Sequence, residues 1–208
     1  MKNAGARSAA LGLALLGMSA MATEQPKYEV VQRYDDFEVR AYGPVVVAET
    51  EVDGEQSEAG NQAFSLLAGY IFGNNQGAKK IAMTAPVAQT PSEGTRIAMT
   101  APVTQTSAGS QRWTVQFTMP AAWTLDTLPV PKDARVKLRT QLARRVAVVR
   151  YSGTWSQRNY DEHLEQLRAA LRREGLEAKG EPTWARYDPP WTPWFLRTNE
   201  IHLEVTGG

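Results

Sequence analysis

The apolar spacing of this chain predicts an α+β domain: a curved antiparallel sheet or barrel with two helices packed on it, built as a pseudo-twofold repeat of two β-β-α-β-β halves. Three observations point there. Several short runs alternate apolar and polar residues, as strands with one buried face do. Two longer segments carry helical stripes. Gly60, Phe64, Leu67 and Ile71 form one, and Tyr160, Leu164, Leu167 and Leu171 form the other, 100 residues on at every position. Asp53-Gly54 before the first stripe has a counterpart in Ser152-Gly153, 99 residues later.

The first 22 residues read as a leader. Lys2 and Arg7 make a basic start, Ala9 to Leu16 is a short apolar run, and Ala20-Met21-Ala22 offers small residues for cleavage. The apolar run is far shorter than the roughly 20 residues a membrane span needs. Cleavage after Ala22 leaves a single domain over 23–208 and places it in the periplasm or outside the cell. Losing Lys2 and Arg7 takes the formal charge from +1 to −1. That balance argues against a nucleic-acid partner, which wants a basic face. With no Cys, the chain has no disulfide, thiolate metal site or thiol nucleophile.

Tyr28 to Arg40 reads as two strands around Asp35-Asp36, and Val45 to Val52 as a buried strand. A helix follows over Ser57 to Phe72, with Gly73 at the left-handed C-cap position. Then one phrase occurs twice: IAMTAPVAQT over 81–90 and IAMTAPVTQT over 97–106, nine of ten positions alike. Its period-2 pattern and the polar link containing Pro91, Ser92 and Gly94 predict a hairpin of these two copies. Trp113 to Met119 is a further strand, and the proline-bearing 120–132 is irregular. The second half repeats the order: strands near Arg135–Arg139 and Arg145–Tyr151, then a helix over Asn159 to Glu174. Asn159 with Glu162 resembles a capping box. Strands near Trp184–Tyr187 and Glu200–Val205 close the chain.

Chemistry-bearing residues are sparse. Of the two histidines, His163 borders the second apolar stripe, and His202 points away from Ile201, Leu203 and Val205 toward the surface or a groove. A neutral imidazole at either place can ligate iron, and His202 is the candidate metal ligand. The pair lacks the spacing that puts two ligands on one helix face. No G-x-S-x-G turn marks a nucleophile. Arg135, Lys137, Arg139, Arg144, Arg145 and Arg150 alternate with apolar residues as the wet face of strands, leaving one or two to pair with a ligand carboxylate. The strongest binding signal is WARYDPPWTPWF over 184–195, five aromatics stiffened by three prolines. A stiff aromatic loop suits a flat apolar ligand because little entropy is lost on binding.

The phrase Lys80 to Val87, the opening Phe37 to Pro44, the helix end AGYIFGNN, and Tyr187 to Pro190 with Arg197 to Ile201 together resemble the SOUL haem-binding protein family, across roughly Tyr28 to Val205. The resemblance implies a distorted antiparallel β-barrel flanked by two helices. It also implies a non-enzymatic binder holding haem or a related tetrapyrrole non-covalently. Its apolar cleft would draw on Phe64, Leu67, Ala68 and Ile71 of the first helix and Trp191 and Trp194 of the loop. Two positions depart from the family pattern. Ala41 stands where some members carry a proposed axial His. Trp191-Thr192 stands where some carry a Lys for a propionate, so Arg197 or Arg186 would take that part. Two other readings stay open: a hydrolytic or tetrapyrrole-modifying enzyme, and an envelope interaction domain anchored on Trp191 and Trp194.

Overall fold

A computed structural model describes residues 23–77, 94–109 and 111–206. Residues 1–22, the expected leader, and the first copy of the repeated phrase lie outside them. Nine strands form one antiparallel sheet curled into a half-barrel: β1 Tyr28–Arg33, β2 Glu38–Tyr42, β3 Val45–Asp53, β4 Val103–Gly109, β5 Arg112–Thr118, β6 Lys137–Gln141, β7 Arg144–Tyr151, β8 Glu177–Arg186 and β9 Asn199–Thr206. The spatial order is β1-β2-β7-β9-β8-β4-β5-β3-β6. Helix α1 spans Gln56–Ile71 and helix α2 Gln157–Arg173.

Both helices pack on the outer face of the curl, each on the strands next to it in sequence. Ala59, Ala63, Leu67, Tyr70 and Ile71 of α1 meet Ala48 and Val52 of β3 and Val115 and Phe117 of β5. Tyr160, Leu164, Leu167, Ala170 and Leu171 of α2 meet Ala147 and Tyr151 of β7, Trp184 of β8, and Ile201, Leu203 and Val205 of β9. Period-3.6 stripes thus lie on period-2 faces, and the two apolar clusters form the core. Opposite side chains of the same strands point into the curl, where the lining is mostly polar.

The first apolar stripe is shifted from its expected line. Small residues Ala59 and Ala63 take the contact with the sheet, so Phe64 turns to the shoulder and is 39% exposed. The expected hairpin of the two copies lies outside the described residues, because its first strand is 81–90; only the second copy is described. Ile97 to Pro102 is irregular apart from a bridge from Thr100 to Glu24, and the strand begins at Val103. Pro102 has no N–H for a ladder. From Val103 on, both edges of β4 are taken, by β5 and by β8. Helix α2 starts earlier than expected because Ser156, not Asn159, is the N-cap and accepts from the Asn159 N–H. Asn159 instead donates its amide to the Ser152 and Thr154 carbonyls. Strand β8 is longer than its apolar part, carried by polar residues around Gly180 (φ +74°) where its pairing with β9 shifts register.

The packing of α1 makes a direct test. Leu67 has no exposed surface. Leu67→Ala is expected to lower unfolding free energy by about 2–5 kcal/mol, measured by urea denaturation, whereas truncating half-exposed Phe64 costs less.

Candidate functional site

Two constellations stand out, one on each face of the sheet. On the outer face, the first half of α1, the end of β8 and the aromatic loop converge on Arg186. Gln105 of β4 donates to the Gln56 carbonyl at 2.9 Å and holds the first turn of α1 to the sheet. Gly60 then passes so close that an added Cβ would lie 3.1 Å from Gln105 Oε1 and 3.6 Å from an Arg186 nitrogen. The Arg186 guanidinium lies 4.2 Å from the ring centre of Trp184 and 5.0 Å from that of Trp155. It has no carboxylate partner among the described residues, and its Nε is buried without a hydrogen bond. Burial, with only weak compensation, lowers its pKa to about 10.

Trp155 connects this cation to the loop. Its Nε1 donates to Asn199 at 2.8 Å, and the Arg197 guanidinium lies 4.2 Å from its ring centre. Arg197 in turn donates to the Pro190 and Thr192 carbonyls at 2.6 and 2.8 Å, fastening the loop from inside. The Gly153 N–H donates to the Trp194 carbonyl, and the Thr198 N–H to Asp188. So fastened, the loop presents Trp191 at 83% exposure, with Trp194, Phe195 and Leu196 also exposed. Trp194 and Phe195 meet edge to face at 5.5 Å.

The expected site residues separate accordingly. Phe64, Trp191 and Trp194 offer apolar surface on the outer side, and Ala68 is nearly covered. Leu67 and Ile71 are committed to the core under α1. Arg197 spends its donors on the loop backbone, which leaves Arg186 as the unpaired cation. The cation was legible as an arginine two residues after Trp184, hence on the same strand face. Nothing in the spacing marked Trp155 or the approach of Gly60.

His202 lies on the inner face, across the sheet from the others, buried at the wall of a groove, the second of the two places expected for it. It belongs to a network around Glu200, whose carboxylate is fully buried. Arg40 donates to both Glu200 oxygens at 2.9 and 3.0 Å, Arg150 at 3.0 Å, Tyr187 at 2.6 Å, and His202 Nε2 contacts it at 2.9 Å. Burial pushes the Glu200 pKa up, but the bonds from His202, Arg40 and Tyr187 outweigh it and hold the carboxyl well below the usual range. Burial also pushes His202 below its ordinary pKa, only partly opposed by Glu200. The other histidine, His163, bonds the Asn159 carbonyl through Nδ1 at 2.7 Å and stacks on Tyr151 at 4.2 Å. Among the described residues, no group of three or more His, Asp or Glu side chains is placed to hold a metal ion. None of the described helices is long and apolar enough to cross a membrane.

Comparison with known proteins agrees with this architecture. A family model described as SOUL heme-binding protein matches residues 23–204. Mouse "Heme-binding protein 2" is 27% identical, covering 90% of this chain and 93% of that protein. "Heme-binding protein 1" of Xenopus tropicalis is 25% identical over 78% of this chain and 84% of its own length. Among solved structures, the C-terminal domain of EcmrR matches with a TM-score of 0.54 at 11% identity, covering 87% of this chain and 99% of that one. A chain described as a hydrolase from Listeria innocua matches at 0.56 and 11% identity, covering 85% and 94%. At such identity these two show the shared fold alone.

The Glu200 network sets a pH response. The native pKa of Glu200 lies below its unfolded value of 4.5, so its contribution is complete above that pH and is lost as pH falls toward the native value. His202 acts in the same direction from 6.5 downward, because the unfolded imidazole takes up a proton that the native one resists. Urea unfolding across pH 3–8 is therefore expected to show stability falling from about pH 6.5 and more steeply below about 4.5. Glu200→Gln should flatten the acid limb while costing about 3–5 kcal/mol at neutral pH.

Proposed function

The chain belongs to the SOUL heme-binding protein family, and on that premise we propose that it is an exported, non-enzymatic binding protein for haem or a related tetrapyrrole. The observation that carries this reading is the unpaired Arg186 between the first helix and the aromatic loop. A tetrapyrrole is a flat apolar ring with carboxylates at one edge. Trp191, Trp194, Phe195 and Phe64 offer the apolar surface, and Arg186 offers a desolvated guanidinium that lacks an anion. A propionate satisfies that guanidinium by a charge-assisted, two-point contact. A haem would supply its iron and its flat macrocycle. This chain's residues would supply apolar contact and charge, without a histidine beside the loop. His163 is engaged with α2 and Tyr151, and His202 lies on the other side of the sheet.

Export to the periplasm or the medium is supported by the basic, apolar and small-residue pattern of the first 22 residues. The charge of −1 after their removal supports a small-molecule ligand over nucleic acid. We also read the two halves as a repeat. Its support is the strand order: with β1 set aside, β2-β7-β9-β8 from one side corresponds to β6-β3-β5-β4 from the other.

Haemin titration of residues 23–208, followed by Trp quenching and Soret absorbance, tests the binding. Saturable binding is expected, and Trp191→Ala with Trp194→Ala should weaken it by about tenfold or more. Arg186→Met should weaken haemin several-fold yet leave the dimethyl ester of haemin unaffected. Metal-free protoporphyrin should bind about as well as haemin. A titration without saturation would end the proposal.

A further inference from the structure

Two side chains on the inner face of the curled sheet each leave polar capacity unused among the described residues, and neither has a part in tetrapyrrole binding on the outer face. The first is His202, 4% exposed. Glu200 is ionised and the imidazole is neutral, so Nε2 carries the proton and donates to the carboxylate. That leaves Nδ1 as a bare acceptor, and it has no hydrogen-bond partner. A buried acceptor left unpaired is costly, so this atom calls for an N–H or O–H donor. The second is Arg144 of β7, half-buried. Its guanidinium lies 5.7 Å from the ring centre of Tyr42, and no carboxylate within ion-pair distance meets it among the described residues; Glu204 is its nearest electrostatic counterweight. The same Tyr42 ring lies 6.1 Å from the His202 ring, so one side chain is neighbour to both.

Both groups also line the same open space. A pocket of about 20 Å³ beside Tyr42, Thr104 and Tyr187 has room for a water. It lies beside a groove of about 270 Å³ bounded by Gln116, Arg139, Lys179 and Thr183. That volume is below the range of sites for large organic ligands, which suits a small polar molecule. Arg139, Arg144 and Lys179 outnumber Glu181 and Glu204 on its walls. Arg139 is already paired with Glu49 at 2.7 Å and Lys179 is exposed, so half-buried Arg144, which lines the small pocket together with His202, is the inward anion receptor.

We propose that this groove is a second binding site, for a small oxyanion that carries its own O–H beside the charge, as a 2-hydroxycarboxylate or hydrogen phosphate does. The guanidinium takes the oxyanion, and the neighbouring hydroxyl donates to His202 Nδ1. An anion without that hydroxyl leaves Nδ1 unpaired and binds more weakly.

With two histidines in the chain, long-range ¹H–¹⁵N spectra resolve both rings. Glycolate, hydrogen phosphate and acetate are the probes, on residues 23–208 at constant ionic strength. A saturable shift of His202 Nδ1 with glycolate or hydrogen phosphate, with His163 unmoved, is the expected result. Acetate should bind about tenfold more weakly, as should glycolate to Arg144→Gln. The relative strength of glycolate and phosphate then identifies the oxyanion. An unmoved Nδ1, or equal responses from acetate and from Arg144→Gln, would overturn the proposal. So would displacement of glycolate by haemin, which would merge the groove with the tetrapyrrole site.

Discussion

A carboxylate wholly removed from water must be met on every side by donors, and Glu200 is the point where this fold meets that demand. Its partners come from β2, β7, β9 and the residue following β8. Removing Arg40 or Arg150 strips counter-charge from a buried carboxylate, and removing Tyr187 or His202 leaves a buried lone pair without a donor. Four segments distant in sequence are thereby fixed in one register. The same demand places both ends of the aromatic loop. Tyr187 stands immediately before it and Glu200 shortly after it, and they bond to each other at 2.6 Å. The outer site is therefore built on the inner network.

The sheet divides the molecule chemically. Its outer face is apolar under two helices and holds one cation, Arg186, against Trp184 and Trp155. Its inner face is mostly polar. Period-2 alternation makes this division possible, because neighbours such as Ile201 and His202 belong to different chemistries. Alternation placed His202 on the face opposite Ile201, Leu203 and Val205, and the sheet keeps it there, away from the helices.

Legibility from sequence followed the strength of local signals. The helical stripes of α1 and α2 and the β-branched strands β3 and β7 were plain, since each element carries its own period. The exposed loop was legible because aromatics and prolines have few other uses in such density. The partners of the second copy of the repeated phrase were not legible, because alternation is the same whatever a strand pairs with; from Val103 to Thr106 they are β5 and β8. Leu67 and Ile71 came to a ligand through the family resemblance, and helical spacing alone does not say whether a stripe faces core or cleft; the small Ala59 and Ala63 let α1 sit low on the sheet and put both in the core. The Glu200 network had no local signature, because its members are separated by up to 160 residues.

Among the described residues, β1 and β6 end the strand order and each has one edge without a paired strand. An open edge is a template on which another chain can add a strand. In β1 the ladder is broken by a register shift between Val30 and Gln32, and β6 is five residues long and carries Lys137 and Arg139. A bulge twists one rim away, and length and charge blunt the other. The chain has no Cys, so no disulfide holds the half-barrel shut. These two rims are what keep its half-barrel a finished object and stop it from seeding a growing sheet.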